Sequence, residues 1–272
     1  MKILSNLHTH TTYCDGQNTA EEMIQRAVEL GWESIGFSGH AFTPCDTAYC
    51  MSREGTVSYQ KEILSLREKY RGVIQVYLGI EQDLFSDPPG FSYDFVIGSV
   101  HYLSLADGTY KAVDDSPEVT AAMVDQYFGG DYFRYIQAYY RQAAQVAKVT
   151  QCNIVGHFDL VTKFNEGGRF FDTADSRYRT AALEALEEVV RTCALFEINT
   201  GAMLRAGRSV PYPEAFLLRR LHELGGEVIL SSDCHRVEGL DWAFGAAAEL
   251  AKSCGFRYAK ILQDGRFADV AL

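Results

Sequence analysis

Short runs of apolar and β-branched residues alternate along this chain with stretches whose apolar positions repeat at helical spacing, the pattern of a parallel sheet joined by helical crossovers. Seven runs read as principal strands, near residues 2–7, 34–39, 74–81, 94–100, 153–157, 195–199 and 227–232. A short eighth, near 258–262, is placed outside the main set. Helices are expected near 57–70, 131–149, 175–193, 213–224 and 242–253. One more helix carries its own end signals: Thr19 with Glu22 three residues on makes a capping box, and Gly31 closes the segment after Leu30. Residues 102–130 break this rhythm with Gly108, the Asp114-Asp115-Ser116-Pro117 turn and Gly129-Gly130, and read as an insertion or lid over the mouth of an α/β barrel. No repeat, low-complexity tract or linker divides the 272 residues, so a single domain over 1–272 is expected.

Bulk composition narrows the function classes. The longest apolar run falls short of the roughly 18 residues that a membrane span needs. The chain passes from Met1 through a few apolar residues straight into His8, leaving no room for a signal peptide, so a cytoplasmic protein is expected. Its seven cysteines are scattered and lack a CxxC pair, which argues against a disulfide framework or a zinc ribbon. A net charge of −11 argues against a broad nucleic-acid or anionic-membrane surface. Carboxylates that bind divalent cations would make the loaded protein less negative than this count.

The chemistry lies in where histidines and selected acids fall. The first strand ends in His8-Thr9-His10, the second in Gly39-His40, the third in Glu81-Gln82-Asp83 and the fourth in Val100-His101. The fifth gives His157-Phe158-Asp159, the sixth Glu197-Ile198-Asn199 and the seventh Asp233-Cys234-His235. In a barrel the C-terminal strand ends converge on one mouth. Residues two apart on a strand share a face, so His8 with His10, and Asp233 with His235, can grip one ion together. Imidazole and carboxylate suit Zn, Fe or Mn alike. A lone histidine at a strand end is ordinarily a hydrogen-bonded structural residue; six of the seven histidines at such ends is a metal-site pattern, and only His222, inside a helical Leu-His-Glu-Leu stretch, reads as structural. Asp15, in Cys14-Asp15-Gly16, would read as a plain turn without the histidines upstream.

These residues resemble the polymerase and histidinol phosphatase (PHP) superfamily over nearly the whole chain: an HxH strand followed by Asp-Gly, a His after the second strand, a Glu after the third, a His after each of the fourth and fifth, and a closing Asp-x-His. The resemblance implies a distorted seven-stranded (β/α) barrel holding two or three divalent metal ions. It implies one metal on His8, His10, Glu81 and Asp233, a second on bridging Glu81 with His101 and His157, and a third on Asp15, His40 and His235. Softer segments, Gly98-Ser-Val-His101, Asp114-Asp115-Ser-Pro-Glu118, Gly156-His-Phe-Asp-Leu-Val-Thr-Lys163 and Glu197-Ile-Asn-Thr-Gly201, are similar to metal-dependent histidinol-phosphate phosphatases. They imply L-histidinol phosphate as substrate and a role in histidine biosynthesis.

On that reading the partner is a small-molecule phosphate monoester. Metal ions supply hydroxide and neutralise phosphate charge. Glu81, Asp233 and His235 are the expected catalytic residues, and Arg205, Lys163 and Arg208 the candidate phosphate ligands, since basic side chains near the sixth and fifth strand ends suit phosphate oxygens. A solvated loop charge is the bland alternative for each. Other readings are a superfamily member acting on nucleotides or oligonucleotides, an amidohydrolase-type metal hydrolase, which shares HxH and a late Asp but not the Glu81-type bridge, and a non-enzymatic domain, which would have lost ligands.

Overall fold

In a computed structural model of the protein, which describes residues 5–272, strands and helices follow one another as β1 (Ser5–Asn6), α1 (Ala20–Glu29), β2 (Ser34–Phe37), α2 (Arg53–Lys69), β3 (Gln75–Asp83) and β4 (Phe95–Ser99). A hairpin, β5 (Tyr102–Ser104) with β6 (Tyr110–Ala112), then leads into α3 (Pro117–Phe128), α4 (Tyr132–Ala143) and α5 (Val146–Thr150). The rest is β7 (Ile154–Val155), α6 (Ser176–Val190), β8 (Leu195–Asn199), α7 (Gly201–Arg205), α8 (Ala215–Glu223), β9 (Glu227–Ser231), α9 (Phe244–Ser253), β10 (Tyr258–Gln263) and β11 (Arg266–Ala271). The first expected strand begins at residue 2, so its opening residues lie outside the described ones.

The main sheet runs β1-β2-β3-β4-β7-β8-β9-β10-β11, parallel throughout except for the β10–β11 hairpin. It is curled: a parallel bridge joins Thr9, just past β1, to Cys234, just past β9, with His10 N–H donating to the Cys234 carbonyl at 2.8 Å. The segment expected outside the main set is β10, which pairs with β9 through Lys260 and Ile229, and β11 pairs along its length. The hairpin turn is Asp264-Gly265, with φ of 50° and 72°. An Asp-Gly pair with both residues left-handed is the two-residue turn that matches strand twist, so the signal for a ninth strand was present in the chain.

Period-two alternation places the site. On β3, β8 and β9 one face carries Leu78 and Ile80, Phe196 and Ile198, Val228 and Leu230, all in the large core against the helices. The other face starts with Tyr77, Leu195 and Ile229, which join Leu7, Phe95, Ile97, Ile154 and Leu262 in a separate apolar plug. Continuing up that inner face by twos reaches Glu81, Glu197 and Asn199, and Ser231 and Asp233. Phe95 fills the plug only because residue 79 is glycine: a Cβ there would lie 2.2 Å from its ring. The polar strand ends thus sit directly above a dry floor.

Helix signals hold in detail at α1, where the Thr19 and Glu22 side chains and backbones cap one another reciprocally and Gly31 has φ of 69°. The stretch expected as one helix over 131–149 is two, with a turn at Ala144-Gln145. The 102–130 segment is more ordered than its turn residues suggested: Ser116 caps α3 by accepting from Val119 N–H, Pro117 opens that helix, and Gly129 closes it with φ of 64°. These are helix-end residues, which composition alone does not separate from turn residues.

Candidate metal centre

Four ligand-type atoms converge at the ends of β1, β3 and β9. His8 Nε2 lies 3.2 Å from Glu81 Oε2 and 3.6 Å from Asp233 Oδ1, and His10 Nε2 lies 3.5 Å and 3.2 Å from the same two oxygens. A tetrahedral ion with bonds of about 2.0–2.2 Å keeps its ligand atoms roughly 3.3–3.6 Å apart, and these four distances lie near that range, with His8, His10 and Asp233 together able to hold one ion and Glu81 beside them. The second observation is that His8 Nε2, His10 Nε2 and Glu81 Oε2 are buried without any protein hydrogen-bond partner. Buried polar atoms of this kind are costly unless something satisfies them.

The other Glu81 oxygen faces a different pair. Oε1 accepts from Ser99 Oγ at 2.6 Å and lies 3.1 Å from His157 Nε2 and 3.5 Å from His101 Nε2. Asp15 sits on the solvent side, its Oδ2 at 3.1 Å from His235 Nε2 and its Oδ1 at 3.7 Å from His40 Nε2. Groups able to hold an ion are His8-His10-Asp233, His40-Glu81-His101 and His10-Asp15-His40-His235. All nine residues named as ligands from the sequence are therefore brought together. His40 differs in detail, because its Nδ1 also lies 3.0 Å from Glu81 Oε2 and so faces two groups at once.

Burial and mutual charge shape these side chains. Burial opposes charge on His8, but Glu197, Glu81 and Asp233 hold its imidazole well above the ordinary value. Burial, then the neighbouring His235 and His40, lower His10 to about 3. Burial would raise Glu81, yet His8, His40 and His101 hold it well below the carboxylate range; burial likewise opposes ionised Asp233, which Arg205 and His8 keep ionised. His8 thus favours its cation, and because an imidazole ligates in its neutral form, binding of an ion would release that proton, while Glu81 and Asp233 already stand in the ionised form a divalent ion takes.

Behind the ligands stand residues whose role was not evident from the sequence. Glu197 Oε2 accepts from His8 Nδ1 at 2.8 Å and from Ser231 Oγ at 2.6 Å, while its Oε1 accepts from His157 N–H at 2.6 Å. Asp83 Oδ2 accepts from His101 N–H at 2.7 Å and lies 3.2 Å from His101 Nδ1. A carboxylate on the far ring nitrogen fixes the tautomer and aims the other nitrogen at the metal. Both acids were visible at strand ends; what they touch was not.

A cavity of about 330 Å³ opens above this cluster, lined by Asp15, His40, His101, His157, Asp233 and His235 on its floor and by Asp46, Tyr49, Tyr102, Asp114, Lys163 and Arg205 on its walls. Of the three basic candidates, Arg205 and Lys163 reach it. Arg205 Nη2 donates to Asp233 Oδ2 at 2.8 Å, and Lys163 Nζ donates to Asp114 at its backbone oxygen (2.8 Å) and Oδ2 (3.1 Å). The structure does not bring Arg208 there. It is buried, donates to the Thr162 carbonyl and Oγ1 at 2.5 and 3.0 Å, and stacks 4.5 Å from the Tyr212 ring centroid, so its fork is spent inside the protein. His222 packs edge-on against Phe256, away from the cluster.

Residues 6–201 match the family model described as PHP domain. The chain is 30% identical over 271 residues to a Deinococcus radiodurans protein described as "Probable histidinol-phosphatase", covering 94% of this chain and 96% of that one. It is 25% identical over 265 residues to the Bacillus subtilis "Histidinol-phosphatase", covering 89% and 97%. Among solved structures, histidinol phosphate phosphatase from Lactococcus lactis subsp. lactis, complexed with Zn, L-histidinol and phosphate, shares the fold with a TM-score of 0.68 at 21% identity, covering 97% of this chain and 98% of that one.

Proposed function

The chain belongs to the PHP domain family, and on that premise we propose that it is a metal-dependent phosphate monoester hydrolase that cleaves L-histidinol phosphate to L-histidinol and phosphate in histidine biosynthesis. The observation that carries the reading is the convergence of His8, His10, Glu81 and Asp233 at 3.2–3.6 Å, with three of their ligand atoms buried and unpartnered, beneath a small polar cavity. Relatives that span nearly the whole chain and carry the name histidinol-phosphatase support the substrate.

The donor set fits two or three divalent ions of the Zn, Fe or Mn type, with Glu81 offering one oxygen to each of two positions and Asp15, His40 and His235 forming the outermost position. When bound, such ions supply Lewis acidity and lower the pKa of water. The chain's own residues do the rest. Arg205 and Lys163 face the phosphate oxygens, each partly neutralised by the acid it pairs with. His235, lining the cavity, is the group that passes a proton to the departing alkoxide, and the ionised Asp233 beside it assists by orienting that imidazole. Asp46, Asp114 and Asp115 give the wall an excess of negative charge that suits the cationic amine of the alcohol half. The hairpin β5–β6 and the loop from it to α3 contribute Tyr102, Ala112, Asp114 and Asp115 to that wall and act as the substrate-facing insertion. The sheet itself reads as a seven-stranded barrel closed where Thr9 meets Cys234, with the β10–β11 hairpin appended to a single domain. Among the described residues no helix is long and apolar enough to cross a membrane, and the proposed biosynthetic role places the enzyme in the cytoplasm.

A turnover screen of the metal-reconstituted protein against histidinol phosphate, mononucleotides and short oligonucleotides tests this. Histidinol phosphate should be the preferred substrate by at least an order of magnitude in kcat/KM. Turnover of oligonucleotides with none of histidinol phosphate would move the chain to a different branch of the family.

A further inference from the structure

Two of the clustered histidines have a carboxylate on the nitrogen that faces away from the convergence point: His8 has Glu197 and His101 has Asp83. His10 has neither. Its Nε2 is buried, unpartnered and aimed between Glu81 Oε2 and Asp233 Oδ1. Its Nδ1 lies 3.7 Å from Asp15 Oδ1, beyond hydrogen-bond reach, and 3.5 Å from the Cys14 sulphur. That sulphur also lies 3.5 Å from the Thr11 carbonyl, a second acceptor within reach of the thiol hydrogen, which it would share with two backbone N–H groups. With the hydrogen on that carbonyl, the sulphur lone pairs are free to accept the His10 Nδ1–H, a contact length ordinary for sulphur.

We propose that Cys14 is a positioning residue for the metal centre: its thiol accepts the Nδ1 proton of His10 and thereby holds the Nε2 lone pair toward the ion. The role is the one Glu197 and Asp83 perform for their histidines, carried out by a neutral group. A neutral acceptor suits this place, because Asp15 and Asp233 already crowd His10 with negative charge. Local backbone fixes the thiol. Cys14 N–H and Gly16 N–H both donate to the Thr11 carbonyl, at 3.0 and 3.1 Å, making a tight turn. Residue 16 must be glycine for that turn, since a Cβ would lie 2.5 Å from Thr11 N.

The proposal rests on the metal-dependent reading, and the test separates the two. Cys14→Ser keeps an acceptor, Cys14→Val keeps volume without one, and Cys14→Ala keeps neither. Each protein is loaded with zinc, challenged with a graded chelator and assayed for retained zinc by elemental analysis, with circular dichroism of the zinc-free forms as a folding control. Cys14→Ser should stay within about threefold of wild type, and Cys14→Val and Cys14→Ala should release zinc at chelator concentrations lower by about tenfold or more. Retention by Cys14→Val with loss in Cys14→Ser would assign the thiol to packing and overturn the proposal, as would equal retention in all three. Should Cys14→Val not fold, the Ser and Ala pair decides by the same criterion. A wild type that takes up no zinc overturns the proposal together with the functional reading, whereas zinc-loaded wild type with indifferent variants overturns only the role of Cys14.

Discussion

Arg205 and Asp233 share one carboxylate between two tasks: Arg205 Nη2 holds Oδ2 at 2.8 Å, while Oδ1 faces His10 Nε2 at 3.2 Å and His8 Nε2 at 3.6 Å. Arg205 also donates to the Asp233 carbonyl and sits 2.9 Å from His235 Nδ1. It is therefore both the wall cation nearest the cluster and the brace of a ligand. Arg205→Ala should raise KM for histidinol phosphate and lower kcat/KM by about ten- to hundredfold, the scale of a lost hydrogen bond to a charged group. Arg205→Lys, which keeps charge but not the fork, should recover only part of it. Unchanged steady-state kinetics in Arg205→Ala would remove Arg205 from phosphate binding.

Glu81 gives each oxygen to a different set of histidines, so Glu81→Gln should lower metal content at two positions together rather than one. Elemental analysis against protein concentration reads this directly. A variant with full metal stoichiometry and wild-type turnover would sink the bridging assignment.

Glu197→Gln replaces the acceptor on His8 Nδ1 by an amide that can present its NH₂ instead. Loss of such a partner ordinarily costs about 10–100-fold in metal affinity or activity. Chelator competition should show this, with the effect reversed at high zinc. Affinity equal to wild type would mean that Glu197 serves only its contacts to His157, Ser231 and Asn199.

Removal of metal should also be felt in stability. An ion bound by the folded state alone stabilises it by about 4 kcal/mol when free metal exceeds Kd a thousandfold. For a chain of this size that corresponds to a Tm drop of roughly 10 °C on adding chelator, restored by zinc. An indifferent melting curve would contradict a metal centre of this affinity.

Glu214 gives a pH signature remote from the cluster. Burial, with Asp159 next to it, raises its carboxyl to about 7. The unfolded value is about 4.3, so the folded chain holds an extra proton between these limits and its stability falls as pH rises through them. Glu214→Gln stays neutral. Its Tm should exceed that of wild type by about 2–4 °C at pH 8, and the difference should vanish below about pH 4. A gap of equal size at both pH values would show that the carboxyl does not titrate as described.

Much of this site could be read along the chain because its ligands sit at strand ends, where alternation by two forces Glu81, Glu197 and Asp233 onto the face continued from Tyr77, Leu195 and Ile229. The histidine spacing carried the chemistry and the family for the same reason. The second rank was harder: Asp83 and Glu197 were visible as acids, but their duty depends on which ring nitrogen they meet. Arg205 and Arg208 are three residues apart and indistinguishable by type, yet one reaches the cavity and the other turns inward onto Thr162 and Tyr212.

By itself, then, the sequence determined periodic features: the strands and helices, the capping box at Thr19, and the gathering of histidines and acids at one set of strand ends. These follow from local sterics and from the side-chain period of each element. Tertiary structure decided how those ends meet. The curl that brings Thr9 to Cys234, the two-sided use of Glu81, the inward turn of Arg208 and the place of the Cys14 thiol behind His10 all depend on contacts between residues far apart in the chain. No local period encodes such contacts, because they are set by how whole layers pack.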